Sequence, residues 1–222
     1  MKEVITIDGY AATGKSTQAK NIAKYLNFLH IDTGAMYRAI TYFSLNNFLI
    51  KSHINIKKLI DNIDKIDIDF KFENQNQIIT INGENIKEKL RNIEIDQNVS
   101  IVASIPEVRS FLVKKQRQLA INSDVVMEGR DIGTVVFPNS KNKFFLIASP
   151  KIRAKRRFLQ MKKNNKNISF SQILEDVKIR DNYDESRKTS PLKPAKDAKI
   201  IDTSDYSETE VFNKIISLLK LY

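Results

Sequence analysis

The chain has 222 residues, ample for a packed core. Its 41% hydrophobic content includes no run near the roughly 18 residues that a bilayer-spanning helix needs. Zero cysteines exclude disulfides and thiolate metal sites and fit a reducing cytoplasm, and a strand expected almost at once leaves no room for a signal peptide. The net charge of +11, from 37 Lys+Arg against 26 Asp+Glu, points to polyanions, either nucleic acid or small phosphates.

Val4, Ile5 and Ile7 form a β-branched run that predicts a first buried strand. It leads into GYAATGKST (9–17), where Gly9, Gly14, Lys15 and Ser16 match G-x-x-x-x-G-K-[ST]. In that pattern backbone N–H groups cradle phosphate oxygens, the lysine reaches the β/γ-phosphates and the hydroxyl binds Mg²⁺. Ala19, Ile22, Ala23 and Leu26 then recur at i, i+3, i+4 and i+7, the apolar face of a helix. A phosphate held by the loop would meet the positive end of that helix.

FLHID (28–32) predicts a second strand and TGAMYRAITYFSL (33–45) a second helix. Residues 66–86 alternate with period two around Asn82-Gly83, the pattern of an antiparallel hairpin, inserted between about 60 and 90. Pro106–Ile121 predicts a helix with Val108, Leu112 and Leu119 on its apolar face. SDVVMEGRD (123–131), KFFLIA (143–148) and KIID (199–202) predict three more strands. KKNNKN (162–167) is a polar run expected to be a mobile loop, and residues 207–222 form a last helix opened by the capping box Ser207/Glu210. Strands alternating with helices argue for a parallel sheet covered on both faces, with ligand at the carboxyl ends of its strands.

All six glycines fall in predicted loops, two in the phosphate motif, the others at Gly34, Gly83, Gly129 and Gly133. Only ten of the 37 basic residues are arginines, yet Arg38, Arg109, Arg130, Arg153, Arg156, Arg157, Arg180 and Arg187 all lie in or beside motif-like stretches. The planar guanidinium fork suits bidentate phosphate or carboxylate contact. Arg153, Arg156 and Arg157 are expected on one helix face. So are Arg180, Asp184 and Arg187, at i, i+4 and i+7, where they could equally be a surface network.

The ordered set GYAATGKST, DTGAMYR, EGRDIGTVVFP, RAKRR and RDNYDESR, together with the hairpin insertion, resembles the bacterial cytidylate kinase family. The resemblance implies an α/β fold: a P-loop kinase core with a parallel five-stranded sheet between helices, a small antiparallel insertion in the nucleotide-monophosphate-binding domain, and a short lid. The core would be 1–32, 106–150 and 169–222, the acceptor domain 33–105 and the lid 151–168. It implies ATP at Gly9, Tyr10, Ala11, Ala12, Thr13, Gly14, Lys15, Ser16 and Thr17, with Mg²⁺ on Ser16. Thr33, Tyr37, Arg38, Arg130 and Arg187 would surround the CMP phosphate, Ser100, Arg109 and Asp131 would read cytosine, and Arg180 and Asp184 the ribose. Arg153, Arg156 and Arg157 would close over the phosphates. Lys15, Arg130, Arg153, Arg157 and Arg187 would be the catalytic group. CMP, dCMP and ATP are the expected partners of a cytoplasmic monomer that binds neither nucleic acid nor membrane. The family often has Pro, Ser and Gly where this chain has Tyr10, Ala11 and Ala12. Because alanine tolerates positive φ poorly, Ala12 is expected in an ordinary conformation.

The chemistry agrees with the resemblance. A phosphate acceptor is already ionised at neutral pH, so catalysis reduces to alignment and charge neutralisation without a general base. The two histidines, His30 and His53, are expected to be structural. A GTPase switch would need D-x-x-G and N-K-x-D, and neither occurs. A nucleic-acid-binding ATPase would place a lone carboxylate at an apolar strand end and basic residues along an exposed stripe. MEGRD at the strand end and arginines at loops count against it. UMP or AMP as acceptor is the nearest alternative.

Overall fold

A computed structural model of the chain, which describes residues 2–73, 76–162 and 169–220, begins with strand β1 (Val4–Gly9) and helix α1 (Lys15–Leu26). β2 (Leu29–Asp32) and α2 (Thr33–Asn47) follow, then the two-residue strands β3 (Leu49–Ile50) and β4 (His53–Ile54) and the short α3 (Ile56–Asp61). β5 (Ile68–Glu73), β6 (Asn76–Ile81) and β7 (Glu84–Asn85) precede α4 (Ile93–Val102) and α5 (Pro106–Leu119). β8 (Val125–Gly129), a π-helical turn at Ile132–Val136, β9 (Asn142–Ile147), α6 (Pro150–Lys162), α7 (Phe170–Ser186), β10 (Lys199–Asp202) and α8 (Glu208–Leu218) complete the chain.

The contacts divide the chain into two compact units, Met1–Ile31 with Ala120–Tyr222, and Asp32–Leu119. In the first, five strands form one sheet in the order β10-β9-β1-β8-β2, with β1 parallel to both β8 and β9. Three of its strands, β1, β8 and β9, are buried along nearly their whole length, which is why they read as continuous apolar runs rather than alternating ones. Ile5, Ile7, Val126, Phe144 and Leu146 pack with Ala19 and Ile22 of α1 and Val211 and Ile215 of α8. The capping box expected at Ser207 and Glu210 is formed, both arms bonded. A smaller cluster of Ala154, Ile173 and Val177 joins α6 to α7.

In the second unit β5 and β6 pair antiparallel with Ile68 opposite Ile81 and Phe70 opposite Ile79, all four buried. The Asn82-Gly83 turn exists, with φ of 50° and 81°, but it joins β6 to the two-residue β7. The β5–β6 pairing runs from Ile68 opposite Ile81 to Glu73 opposite Asn76, so the Asn-Gly pair is not the turn of the main hairpin as the alternation suggested; residues 74–75 lie outside the described residues. α5, expected with the sheet, packs on α2 and on the turn at Ile63–Lys65 and belongs to the second unit. Gly34, expected in a loop, lies in the first turn of α2, whose N-cap Asp32 accepts from Ala35 N at 3.1 Å. The polar run at 162–167 begins on the last residue of α6, and its remainder lies outside the described residues.

Candidate active site

The phosphate motif forms the turn from β1 into α1, as the strand–loop–helix order required. Gly9 sits at φ 141°, and a Cβ there would stand 2.1 Å from the Leu146 carbonyl oxygen of the paired strand, so only glycine fits. Gly14 is the left-handed N-cap of α1 at φ 92°. Ala12 is also left-handed, at φ 60°, which corrects the expectation of an ordinary conformation. The loop is closed by side chains that bind its own backbone. Thr13 Oγ1 donates to Tyr10 O at 3.0 Å, Lys15 Nζ donates to the same carbonyl at 2.5 Å, and Thr203 Oγ1 donates to Thr13 O at 3.0 Å. With three polar anchors, the fold tolerates the strained alanine.

Lys15 is buried. Burial, with Arg130 and Arg180 adding repulsion, holds its ammonium well below the usual lysine range, against the pull of Glu128 and Asp8. A polyanion beside it would reverse that balance. Ser16 Oγ donates to Glu128 Oε2 at 2.7 Å, and Glu128 Oε1 lies 3.0 Å from His30 Nε2. The buried Glu128 is thus a strand-end carboxylate next to the motif hydroxyl, the feature whose apparent absence was held against an ATPase, so that discriminator fails. His30 is tied into this cluster.

Asp8, one residue before the loop, was not singled out from the sequence. Its carboxylate accepts from Ile132 N at 2.8 Å and Gly133 N at 2.7 Å, which anchors the turn that follows Arg130 and Asp131. Burial pushes its carboxyl up to about 7 despite those two bonds.

The first unit gathers three of the predicted acceptor residues round one carboxylate. Asp184 Oδ2 accepts from Arg130 Nε at 3.1 Å, and its Oδ1 lies 3.6 Å from Arg187 Nη1. Burial acts to raise the Asp184 carboxyl, but Arg130, Arg180 and Arg187 together hold it below the ordinary carboxylate value. Arg187 caps α7 from just beyond its last turn, so Arg180 and Asp184 share a helix but Arg187 does not. Asp131 is buried at the start of the π-helical turn.

The second unit holds the remaining acceptor candidates. Thr33 and Tyr37 are buried on α2, and Ser100 is half-buried on α4. Arg38 pairs with Asp96, tying α2 to α4. Arg109 is 3% exposed on α5, donates to Ala103 O at 2.9 Å and lies 5.3 Å from the Tyr37 ring centroid. Arg38 and Arg109 sit on the helices expected over 33–45 and 106–121, so the broader expectation of arginines at loops does not hold for these two.

The three α6 arginines do not share one environment. Arg153 is 2% exposed and grips Asp181 with both Nη atoms, at 2.9 and 2.5 Å, while its Nε donates to Ala148 O at 2.8 Å. Its Nη1 also reaches Ala11 O at 3.5 Å and its guanidinium lies 4.9 Å from the Tyr10 ring centroid. Arg156 donates to Thr203 Oγ1 and to Thr203 O at 3.0 and 2.5 Å, and Arg157 is half-buried. Tyr10 OH donates to Glu185 Oε1 at 2.6 Å, and burial with that acceptor pushes the phenol up to about 12. Asp181 and Glu185 escaped the sequence reading because their partners lie 28 and 175 residues away.

The family model described as cytidylate kinase matches residues 5–221. The chain belongs to the cytidylate kinase family. A cytidylate kinase of Clostridium tetani is 46% identical over 220 residues, covering 99% of this chain and 95% of that protein. One from Alkaliphilus oremlandii is 47% identical over 216 residues, covering 97% of each. The crystal structure of an uncharacterized protein from Eubacterium ventriosum shares the fold at a TM-score of 0.50 and 14% identity, covering 97% of each chain. This kinase combines a phosphate-loop motif, an arginine cluster round Asp184 and an antiparallel insertion.

Proposed function

We infer that the chain catalyses transfer of the γ-phosphoryl group of ATP to CMP, and also to dCMP, giving the diphosphate and ADP. The observation that carries this reading is a buried lysine in a phosphate loop at the start of α1, near enough to Arg130 and Arg180 for both to repel it. Family membership supplies the acceptor. Gly9–Thr17 would hold the donor, with Lys15 leaving the Tyr10 carbonyl for a phosphate oxygen. Arg130 and Arg187 would bind the acceptor phosphate, with Thr33, Tyr37 and Arg38 around it, and Arg180 and Asp184 the ribose. Ser100, Arg109 and Asp131 would read the base. The acceptor oxygen is already ionised, so alignment and charge neutralisation carry the reaction.

Mg²⁺ fits the residues present. The Ser16 hydroxyl and the Glu128 carboxylate are hard oxygen donors already in contact at 2.7 Å. The ion would neutralise phosphate charge. Residues 151–168 would act as a lid, with Arg153 and Arg156 exchanging Asp181 and Thr203 for phosphate oxygens, joined by Arg157. We propose a functional division into a core of 1–32, 106–150 and 169–222 and an acceptor domain of 33–105, with α5 assigned to the core by function although it packs within the second unit. Among the described residues no helix is long and apolar enough to cross a membrane. We place the enzyme in the cytoplasm as a monomer acting on small nucleotides, with no nucleic-acid role.

Coupled release of ADP measured with CMP, dCMP, UMP, AMP and GMP tests the reading, with CMP and dCMP expected to lead. A higher kcat/KM for UMP or AMP would overturn the acceptor assignment, and salt-dependent DNA binding would favour the ATPase alternative. Lys15→Ala should lower kcat by roughly 10²-fold or more, the scale of a lost transition-state contact. A near-normal kcat would remove the loop from the mechanism.

A further inference from the structure

Tyr10 is tied down at both its backbone carbonyl and its side chain. Its carbonyl accepts from Lys15 Nζ at 2.5 Å and Thr13 Oγ1 at 3.0 Å, the contacts that a donor phosphate would compete for. Its ring packs edge-on against Phe145, with centroids 6.0 Å apart, and lies under the Arg153 guanidinium. Its hydroxyl reaches across 175 residues of sequence to Glu185 at 2.6 Å, a short charge-assisted bond. Glu185 adjoins Asp184, on which Arg130 and Arg187 converge, and Asp184 O accepts from Leu192 N at 2.8 Å where the helix ends. One side chain therefore joins the loop assigned to the donor to the end of α7 assigned to the acceptor.

We propose that Tyr10 is a positioning residue that couples the two nucleotides: through the Tyr10–Glu185 bond, already formed while the loop is closed on its own carbonyl, filling the phosphate loop restrains the end of α7 and tightens the binding of CMP. This rests on the donor and acceptor roles given under Proposed function. When Lys15 turns to a phosphate, the Tyr10 carbonyl is released and the loop resettles with the phenol still held by Glu185. Whichever nucleotide arrives first then orders the segment that the second needs, so the second has less ordering to impose. The coupling must be reciprocal, CMP tightening the donor by the same factor.

The test is calorimetric titration of CMP with and without saturating non-hydrolysable ATP analogue (AMP-PNP). Wild type should bind CMP about 5-fold or more tightly in its presence. Tyr10→Phe keeps the ring on Phe145 and Arg153 and removes only the hydroxyl, and should bring that factor roughly 2-fold or more closer to one, within the worth of one net hydrogen bond. Glu185→Ala should cut it equally, Glu185→Gln should retain most of it through its amide oxygen, and the double variant Tyr10→Phe/Glu185→Ala should lose no more than either alone. A factor unchanged in Tyr10→Phe, or changed in Glu185→Gln as much as in Glu185→Ala, overturns the proposal, as does a wild type that binds both nucleotides without coupling. Loss of both affinities at constant coupling means simple loop support and overturns it too. If wild type binds neither nucleotide, the functional reading itself fails and takes the proposal with it.

Discussion

Ala12 holds a torsion that alanine resists. A left-handed residue with a Cβ costs roughly 1–2 kcal/mol, and Ala12 at φ 60° bears that cost inside the loop. Replacing it with glycine removes the strain but adds unfolded-state freedom worth about 0.4–1 kcal/mol. Ala12→Gly should therefore stabilise the protein by about 1 kcal/mol or less, seen as a higher urea midpoint at unchanged m-value, while Ala12→Val should destabilise it. Asp8 makes a second residue-scale prediction. Burial raises its carboxyl to about 7 in the folded protein, against about 3.9 when unfolded. A raised carboxyl favours folding when protonated, so its contribution is full below about pH 4 and is lost as pH rises to about 7. Comparing urea stability at pH 4.5, 6 and 7.5, wild type should lose stability relative to Asp8→Asn across that window. Parallel profiles would mean that the two N–H bonds from Ile132 and Gly133 keep Asp8 ionised throughout.

At the scale of elements, what the sequence made legible depended on where each element finds its partners. Strand β1, the loop and α1 were readable because all three signals are local: a β-branched run, the glycine spacing and an apolar i, i+3, i+4 face. The hairpin was readable as antiparallel but not in its register. Asn82-Gly83 is a genuine two-residue turn, with both residues at positive φ. Yet the longer pairing joins Ile68–Glu73 to Asn76–Ile81, two strands that the Asn82-Gly83 turn does not connect. The α6–α7 clamp was invisible for a different reason. RAKRR looks like a charged surface, and only folding brings Arg153 against Asp181 in a nearly dry setting. That pair sets a third prediction. Asp181→Ala strands a buried guanidinium and should cost about 3–5 kcal/mol, measured by urea unfolding. Replacing both partners, as Arg153→Met with Asp181→Leu, should recover most of the loss. A single variant costing under about 1 kcal/mol would show that the Ala148 and Ala11 carbonyls suffice for Arg153.

For the molecule as a whole, the +11 charge proved ambiguous in composition alone, because bulk lysine does not choose between nucleic acid and small phosphates. Family membership names a small nucleotide, and the scarce arginines stand round Asp184 and on α2 and α5. The carboxylates that organise the first unit, Asp8, Glu128, Asp181 and Glu185, were the poorest legible class. An isolated acidic residue carries no local signature, and Ser16 and Glu128 are 112 residues apart.

Base preference tests the roles proposed for Asp131, at the start of the Ile132–Val136 turn, and Arg109, on α5. Cytosine offers an N4 amino donor and an N3 acceptor, whereas uracil offers an O4 acceptor and an N3–H donor. A carboxylate only accepts and a guanidinium only donates. Asp131 assigned to N4 and Arg109 assigned to N3 and O2 match cytosine and mismatch uracil at both positions. Both side chains are 3% exposed, so water cannot readily repair a mismatch. Each leaves a buried group unsatisfied at about 1–3 kcal/mol, so two separate kcat/KM for CMP and UMP by roughly 10²-fold or beyond. Asp131→Ala should lower kcat/KM for CMP far more than for UMP, and steady-state kinetics with both substrates would show the ratio narrowing. Equal losses would place Asp131 at the phosphates or at the Ile132–Val136 turn, and wild type using UMP as well as CMP would remove base reading from both residues.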